Sequence, residues 1–298
     1  MTSIDQDPPD VSHTVIELRG HSGCRVEVAR ERNSFFVRKT SGSIDYNRRL
    51  SLQIEKQARL RSILPVAEIY KIHSENGLLS YDMEFLNGRD FRSQCLEQPI
   101  SWVGRFTEQL LSSIHSLSML KSSTLSSSAF HNKIASISGA LRSHPRANEA
   151  NAIFDSLICY LRQENWTSIP QTECHGDLTL ENLIFQIDGA VYFIDLLDSD
   201  LDSIWLDFAK ILFDLEAGWS LRHHLSTNTD SGSAEVRLLR MVSRYLYDEI
   251  LAGLGSRYPN LVQKLTPLKI LQAARIIPYT HDDAAFECLI SYIRAKLK

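Results

Sequence analysis

The stretch from His175 to Asp195 places an Asp and an Asn five positions apart, Asp177 and Asn182, in a polar segment, and a further Asp, Asp195, at the end of the apolar run Val191-Tyr192-Phe193-Ile194. The apolar runs on either side of Asp188-Gly189 read as the two strands of a hairpin, because an Asp-Gly pair tolerates the positive φ of a tight turn. Such a hairpin carries three metal-capable or base-capable side chains at one end. Metal-assisted phosphoryl transfer requires this set. One carboxylate, Asp177, orients a hydroxyl and takes its proton; Asn182 and Asp195 are hard oxygen donors suited to holding Mg²⁺ on nucleotide phosphates.

The elements that must position these groups lie on both sides of them. Short β-prone runs at 15–18, 25–29 and 35–40 predict a meander, with Gly20-His21-Ser22-Gly23 between the first two. Those glycines suit either a phosphate-approaching loop or a plain hairpin turn. Leu50, Ile54 and Ala58 recur at helical spacing within 46–64, and Pro65 stops that helix. Runs at 66–72 and 78–85, around Glu75-Asn76-Gly77, complete five strands and one helix before residue 87.

From Trp102 onward the pattern turns helical. Val103, Phe106, Leu110, Ile114 and Leu117 form an apolar stripe. The Ser-rich stretch 121–128 reads as a loop, and 150–161 as a second amphipathic helix. After Asp195, the alternating Asp198, Asp200 and Asp202 read as a solvated acidic loop, with a second cation site as the competing reading. Asp207 opens an apolar helical run, where a carboxylate accepts backbone amides. Further helices are expected at 234–251, 261–276 and 283–297. His223, His224 and His281 lack partners at metal-ligand spacing.

Composition excludes several function classes. The chain has 298 residues, 43% hydrophobic and 23% charged, enough for two lobes with a substantial core. A formal net charge of −4 gives no general attraction to nucleic acid or anionic membrane. Five scattered cysteines without a CxxC pair indicate reduced thiols and a cytoplasmic protein. Residues 1–13 are acidic, lack an apolar core and read as a flexible tail rather than a signal peptide, and no apolar run matches a membrane span.

The core His175-x-Asp177-x-x-x-x-Asn182 with Asp195 downstream resembles the aminoglycoside phosphotransferase and choline kinase families, the small-molecule branch of the protein-kinase-like fold. Gly176 stands where protein kinases carry Arg, and Leu196-Leu197 where they carry Phe-Gly, which fits that branch. The resemblance implies an α+β, two-lobed fold. Residues 14–86 would form a small antiparallel lobe with one helix that binds nucleotide, and 87–298 a larger, mainly helical lobe for catalysis and substrate. It also implies ATP, or alternatively GTP, and Mg²⁺ as cofactors, with Asn182 and Asp195 as metal ligands, Asp177 as base and His175 packed beneath the loop.

By the same resemblance Lys39, which keeps the Val-x-Lys spacing, would neutralise the non-transferred phosphates, with neighbouring Arg38 as the competitor, and Glu55 would pair with the lysine. Glu84, Phe85 and Leu86 would supply the backbone groups that read the adenine edge. The function so implied is ATP-dependent transfer of the γ-phosphate to a hydroxyl of a small molecule, an aminoglycoside, a choline-like compound or a sugar. Asp282, Asp283 and Glu287 are candidates for a cationic acceptor. The alternative is a nucleotide-binding pseudokinase scaffold, which would have no need of a base at Asp177.

Overall fold

A computed structural model describes residues 13–18, 23–120, 123–227 and 233–298. Residues 1–12 of the expected tail and residues 20–22 of the glycine turn lie outside the described residues, whereas residue 13 already begins a strand. The chain divides into two compact units, Met1–Asn87 and Gly88–Lys298.

The first unit is a five-stranded antiparallel sheet in the order β1-β2-β3-β5-β4, comprising β1 (His13–Leu18), β2 (Cys24–Glu31), β3 (Ser34–Ser41), β4 (Ile69–Glu75) and β5 (Leu78–Glu84). Helix α1 (Asn47–Leu60) crosses from β3 to β4 and packs on β5, where Leu50 and Ile54 cluster with Tyr81. The predicted apolar stripe needs one correction. Ala58 is exposed, and the buried face runs through Leu50, Gln53, Ile54, Gln57 and Leu60. Gln57 sits inside because its Nε2 donates to the Ala67 carbonyl at 2.8 Å, which satisfies a polar group that burial would otherwise penalise.

The second unit begins with β6 (Gly88–Arg89), α2 (Phe91–Glu97) and α3 (Trp102–Ser118), then β7 (Ser123–Thr124), α4 (Ser127–Arg142), α5 (Ala147–Gln163) and β8 (Pro170–Gln171). The hairpin of β9 (Leu183–Gln186) and β10 (Val191–Phe193) follows, with Phe185 opposite Val191 and Gly189 at φ +91° in the turn. Helices α6 (Ile204–Ala217), α7 (Arg222–Thr227), α8 (Ala234–Arg257), α9 (Pro259–Ile276) and α10 (Asp283–Lys296) complete the unit. The Ser-rich segment is not all loop. Ser126 Oγ accepts the Ala129 N–H and so starts α4, the use of serine that a composition reading overlooks.

Helix α6 is the axis of this unit: every residue from Ile204 to Leu215 is buried, and α8, α9 and α10 pack around it. Three charged residues fall within that span, Asp207, Lys210 and Asp214, and a buried charge is stable only when paired and hydrogen-bonded. No helix among the described residues is long and apolar enough to cross a membrane.

Candidate active site

The polar loop between β8 and β9 is held by α6. Asp207 takes two backbone amides of the loop, His175 N–H on Oδ2 at 2.5 Å and Gly176 N–H on Oδ1 at 3.0 Å. Lys210, one turn on, donates its ammonium to the Gly176 carbonyl. Asp214, a further turn on, accepts the Leu180 N–H at 2.8 Å and is steadied by the Ser220 N–H and hydroxyl at 2.8 and 2.5 Å. Positions i, i+3 and i+7 share one helix face, so a single stripe grips the loop backbone from 175 to 180. Asp207 is therefore not a cap of its own helix. Ser203 has that role, its Oγ accepting the Trp205 N–H at 3.2 Å.

Gly176 fits this grip for a steric reason. Its φ is +90°, and a Cβ built there would lie 1.7 Å from the Leu197 carbonyl oxygen. The Leu197 N–H donates to the His175 carbonyl at 2.9 Å, which brings the two segments together at that point. An Arg, or any other side chain, has no room here.

The candidate residues of this unit are brought together by backbone and side-chain bonds. His175 is wholly buried, its ring centroid 5.9 Å from that of Phe193, and its Nδ1 accepts the Asp177 N–H at 3.2 Å. Asn182 lies in the single turn Leu180–Asn182, and its amide nitrogen donates to the Asp177 carbonyl at 2.7 Å. That bond leaves its amide oxygen as the group able to serve a cation. The Ile194 N–H donates to the Asn182 carbonyl at 3.0 Å, so Asp195 follows directly on a residue bonded to Asn182. Asp195 itself adopts φ +58°, a conformation that a short polar side chain tolerates better than most. Asn182 and Asp195 offer hard oxygens that fit Mg²⁺, an ion usually held by one or two protein groups together with phosphates. Among the described residues no group of three or more His, Cys, Asp or Glu is placed to hold a metal ion.

Asp177 is half-buried, and its Oδ1 accepts an N–H of Arg275 at 3.0 Å. Burial disfavours its charged form, but the Lys210 and Arg275 charges and the Arg275 hydrogen bond outweigh it and hold the carboxyl below its ordinary range. Asp214 shows the opposite balance. Complete burial pushes its carboxyl up to about 6 against the bonds from Ser220 and Leu180. Lys210 and Arg275 were not recognised from the sequence. Lys210 had a signal, since charges at 207, 210 and 214 break an otherwise apolar helix. Arg275 had none, being 98 residues from its partner.

In the other unit the structure separates Lys39 from Arg38. Arg38 grips Asp82 with two bonds of 2.7 and 2.9 Å, and His73 lies 2.7 Å from the same carboxylate. Burial opposes the charge of Asp82, yet the Arg38 and His73 bonds hold its pKa below the ordinary value. Lys39 is 1% exposed and faces Tyr81 across the strand pair, on the face that α1 covers. The expected pairing of Glu55 with Lys39 is not formed. Glu55 faces solvent and accepts the Ser51 hydroxyl at 3.1 Å, because α1 turns Gln53, Lys56 and Gln57 inward instead. At the end of β5 the Glu84 N–H is already donated to the Glu68 carbonyl at 2.8 Å, whereas Phe85 and Leu86 lie beyond the strand.

Asp282, Asp283 and Glu287 lie at the start of α10, with Asp283 and Glu287 largely exposed. Asp282 caps α10 through the Ala285 N–H, and Arg146 contacts Asp283 at 3.4 Å and Glu287 at 2.6 Å.

The profile of the phosphotransferase enzyme family, APH, matches residues 16–239. The chain belongs to this family. It is accordingly a phosphotransferase of the kinase type, and no curated protein matches it by sequence. Among solved structures, an aminoglycoside-3'-phosphotransferase of type VIII superposes on this phosphotransferase with a TM-score of 0.58 at 16% identity, over 88% of this chain and 93% of that one. A thermostable mutant of aminoglycoside phosphotransferase APH(4)-Ia, in ternary complex with AMP-PNP and hygromycin B, gives 0.58 at 10% identity over 96% and 92%. The ethanolamine kinase of Plasmodium vivax gives 0.54 at 13% identity over 95% and 81%. At these identities the likeness establishes the shared, protein-kinase-like α+β fold.

Two outcomes follow for stability. Gly176→Ala is expected to destabilise the protein by about 3 kcal/mol or more, since both φ and the Leu197 contact oppose a Cβ; denaturant unfolding checks it. For Asp214, the folded-state pKa lies above the unfolded one. Its stabilising protonation is therefore complete below about pH 4 and is lost as pH rises through about 6. Asp214→Asn should flatten the decline in Tm between about pH 4 and pH 6 relative to the parent, as read by differential scanning calorimetry.

Proposed function

We propose that the chain transfers the γ-phosphoryl group of ATP to a hydroxyl of a small molecule. The observation that carries this reading is the loop from His175 to Asn182, whose backbone is clamped by α6 while the Asp177 carboxylate stays half-exposed and charged. The family match supports the reaction class, and the AMP-PNP held by one structural relative supports ATP as donor.

In this reading Asp177 accepts a hydrogen bond from the acceptor hydroxyl, aiming its oxygen at the γ-phosphorus. The new oxygen–phosphorus bond forms as the bond to the bridging oxygen of ADP breaks, and the hydroxyl proton passes to Asp177. A carboxylate held below its ordinary pKa is a weak base. That suits a loose transition state in which the proton leaves late and positioning contributes most. His175 keeps Asp177 in place through its Nδ1 bond rather than through charge. Asn182 and Asp195 would hold Mg²⁺, which neutralises charge on the phosphates when bound. Lys39 would serve the phosphates without Glu55, and the backbone of Phe85 and Leu86 would read the base.

Asp177→Asn and Asp195→Asn should each lower kcat by about a hundredfold or more while circular dichroism stays native. Undiminished ATP-dependent transfer in either variant would sink the assignment. Lys39→Met should weaken Mg·ATP binding in a thermal-shift titration, whereas Glu55→Gln should leave it within about twofold, the size of an ordinary surface change.

A further inference from the structure

A cavity of about 570 Å³ opens within the second unit, walled by α4, α6, α9 and the loop after Asp195. That size suits a small metabolite. Arg275 and Lys210, the two cations flanking Asp177, line it, together with Gln272 and Lys133. Arg275 makes one hydrogen bond among the described residues, to Asp177, although a guanidinium carries five N–H donors in a fork shaped for carboxylate or phosphate. Gln272 is 3% exposed, and its Oε1 has no partner among the described residues, which calls for a donor such as a hydroxyl.

We infer that the phosphoryl acceptor is a hydroxylated small molecule bearing an anionic group, a carboxylate or phosphate, gripped by Arg275. The inference rests on the phosphotransferase reading above. The acceptor's anion takes the donors that Arg275 leaves unused, and its hydroxyls meet Asp177 and Gln272. Engagement of the anion also loosens the bond between Arg275 and Asp177 Oδ1, freeing that oxygen for the hydroxyl to be phosphorylated. A polycation would have to approach Lys210 and Arg275 in a partly desolvated site, where like charges repel strongly. Asp198 and Asp200 also line the cavity, but both are exposed, and water and salt screen what they offer a cation. The other acidic candidates, Asp282, Asp283 and Glu287, do not line this cavity.

The full chain, with Mg·ATP, is assayed for transfer of labelled phosphate to skeleton-matched acceptors: glycerate against glycerol, gluconate and glucose 6-phosphate against glucose, with choline and kanamycin as cations. Binding of each is measured by calorimetry with Mg·ADP present. At least one anionic member should bind and react better than its neutral mate by about tenfold or more. Carboxylate and phosphate arms identify which anion is read. Arg275→Gln should raise KM for that acceptor by about 10- to 100-fold and erase the preference, with Arg275→Lys intermediate. Equal or better use of glucose, choline or kanamycin overturns the inference while leaving Asp177-dependent transfer standing. So does a KM unmoved by Arg275→Gln, or no tighter binding of any anionic member. Absence of Mg·ATP binding together with absence of all transfer would overturn the phosphotransferase reading, and this one with it.

Discussion

The organisation of the second unit depends on one constraint: backbone amides and a carbonyl of a sharply bent loop must be satisfied without water. Helix α6 meets it with Asp207, Lys210 and Asp214 on a single face. Each of these charges is tolerable inside only because the loop is there, and the loop keeps its shape only because the charges are there. Removing one member leaves the others buried and uncompensated, a cost of roughly 3–5 kcal/mol in comparable settings. The clamp therefore acts as a unit, and the position of Asp177 follows from it.

The same clamp explains why the family core differs from protein kinases at its second position. With the loop drawn onto α6, residue 176 comes against the Leu197 carbonyl, and only a glycine permits that approach. What reads in sequence as a missing Arg is, in space, the closure of the loop onto the segment that carries Asp195. The approach is to the Leu197 backbone, so it accounts for the glycine at 176 and leaves the side chain at 197 unexplained.

Local features of the fold were legible in the sequence, and long-range ones were not. The hairpin around Asp188-Gly189 was readable because turn chemistry is sequence-local, and so was the gathering of Asp177, Asn182 and Asp195 at its one end. The pairing of Glu55 with Lys39 rested on the resemblance alone, and nothing in the helix itself marks which polar residue turns inward; Gln57, with a carbonyl to satisfy it, does so, and Glu55 faces solvent. The Ser-rich segment concealed α4, since serine caps helices as readily as it fills loops. Asp207 was read as an acceptor of backbone amides, and the amides it takes are those of His175 and Gly176, with Lys210 and Asp214 repeating its phase on the same face. Arg275 illustrates the limit: nothing near it in sequence marks it as the partner of Asp177.

The placement of Arg275 near the end of α9 bears on two roles along the chain. The groups that hold the reacting loop all lie between His175 and Ser220, whereas the α4 and α9 walls of the neighbouring cavity come from before and after that span. Arg275 joins the two, standing in the α9 wall while bonding the Asp177 carboxylate, so a substitution there changes the cavity and the reacting group together.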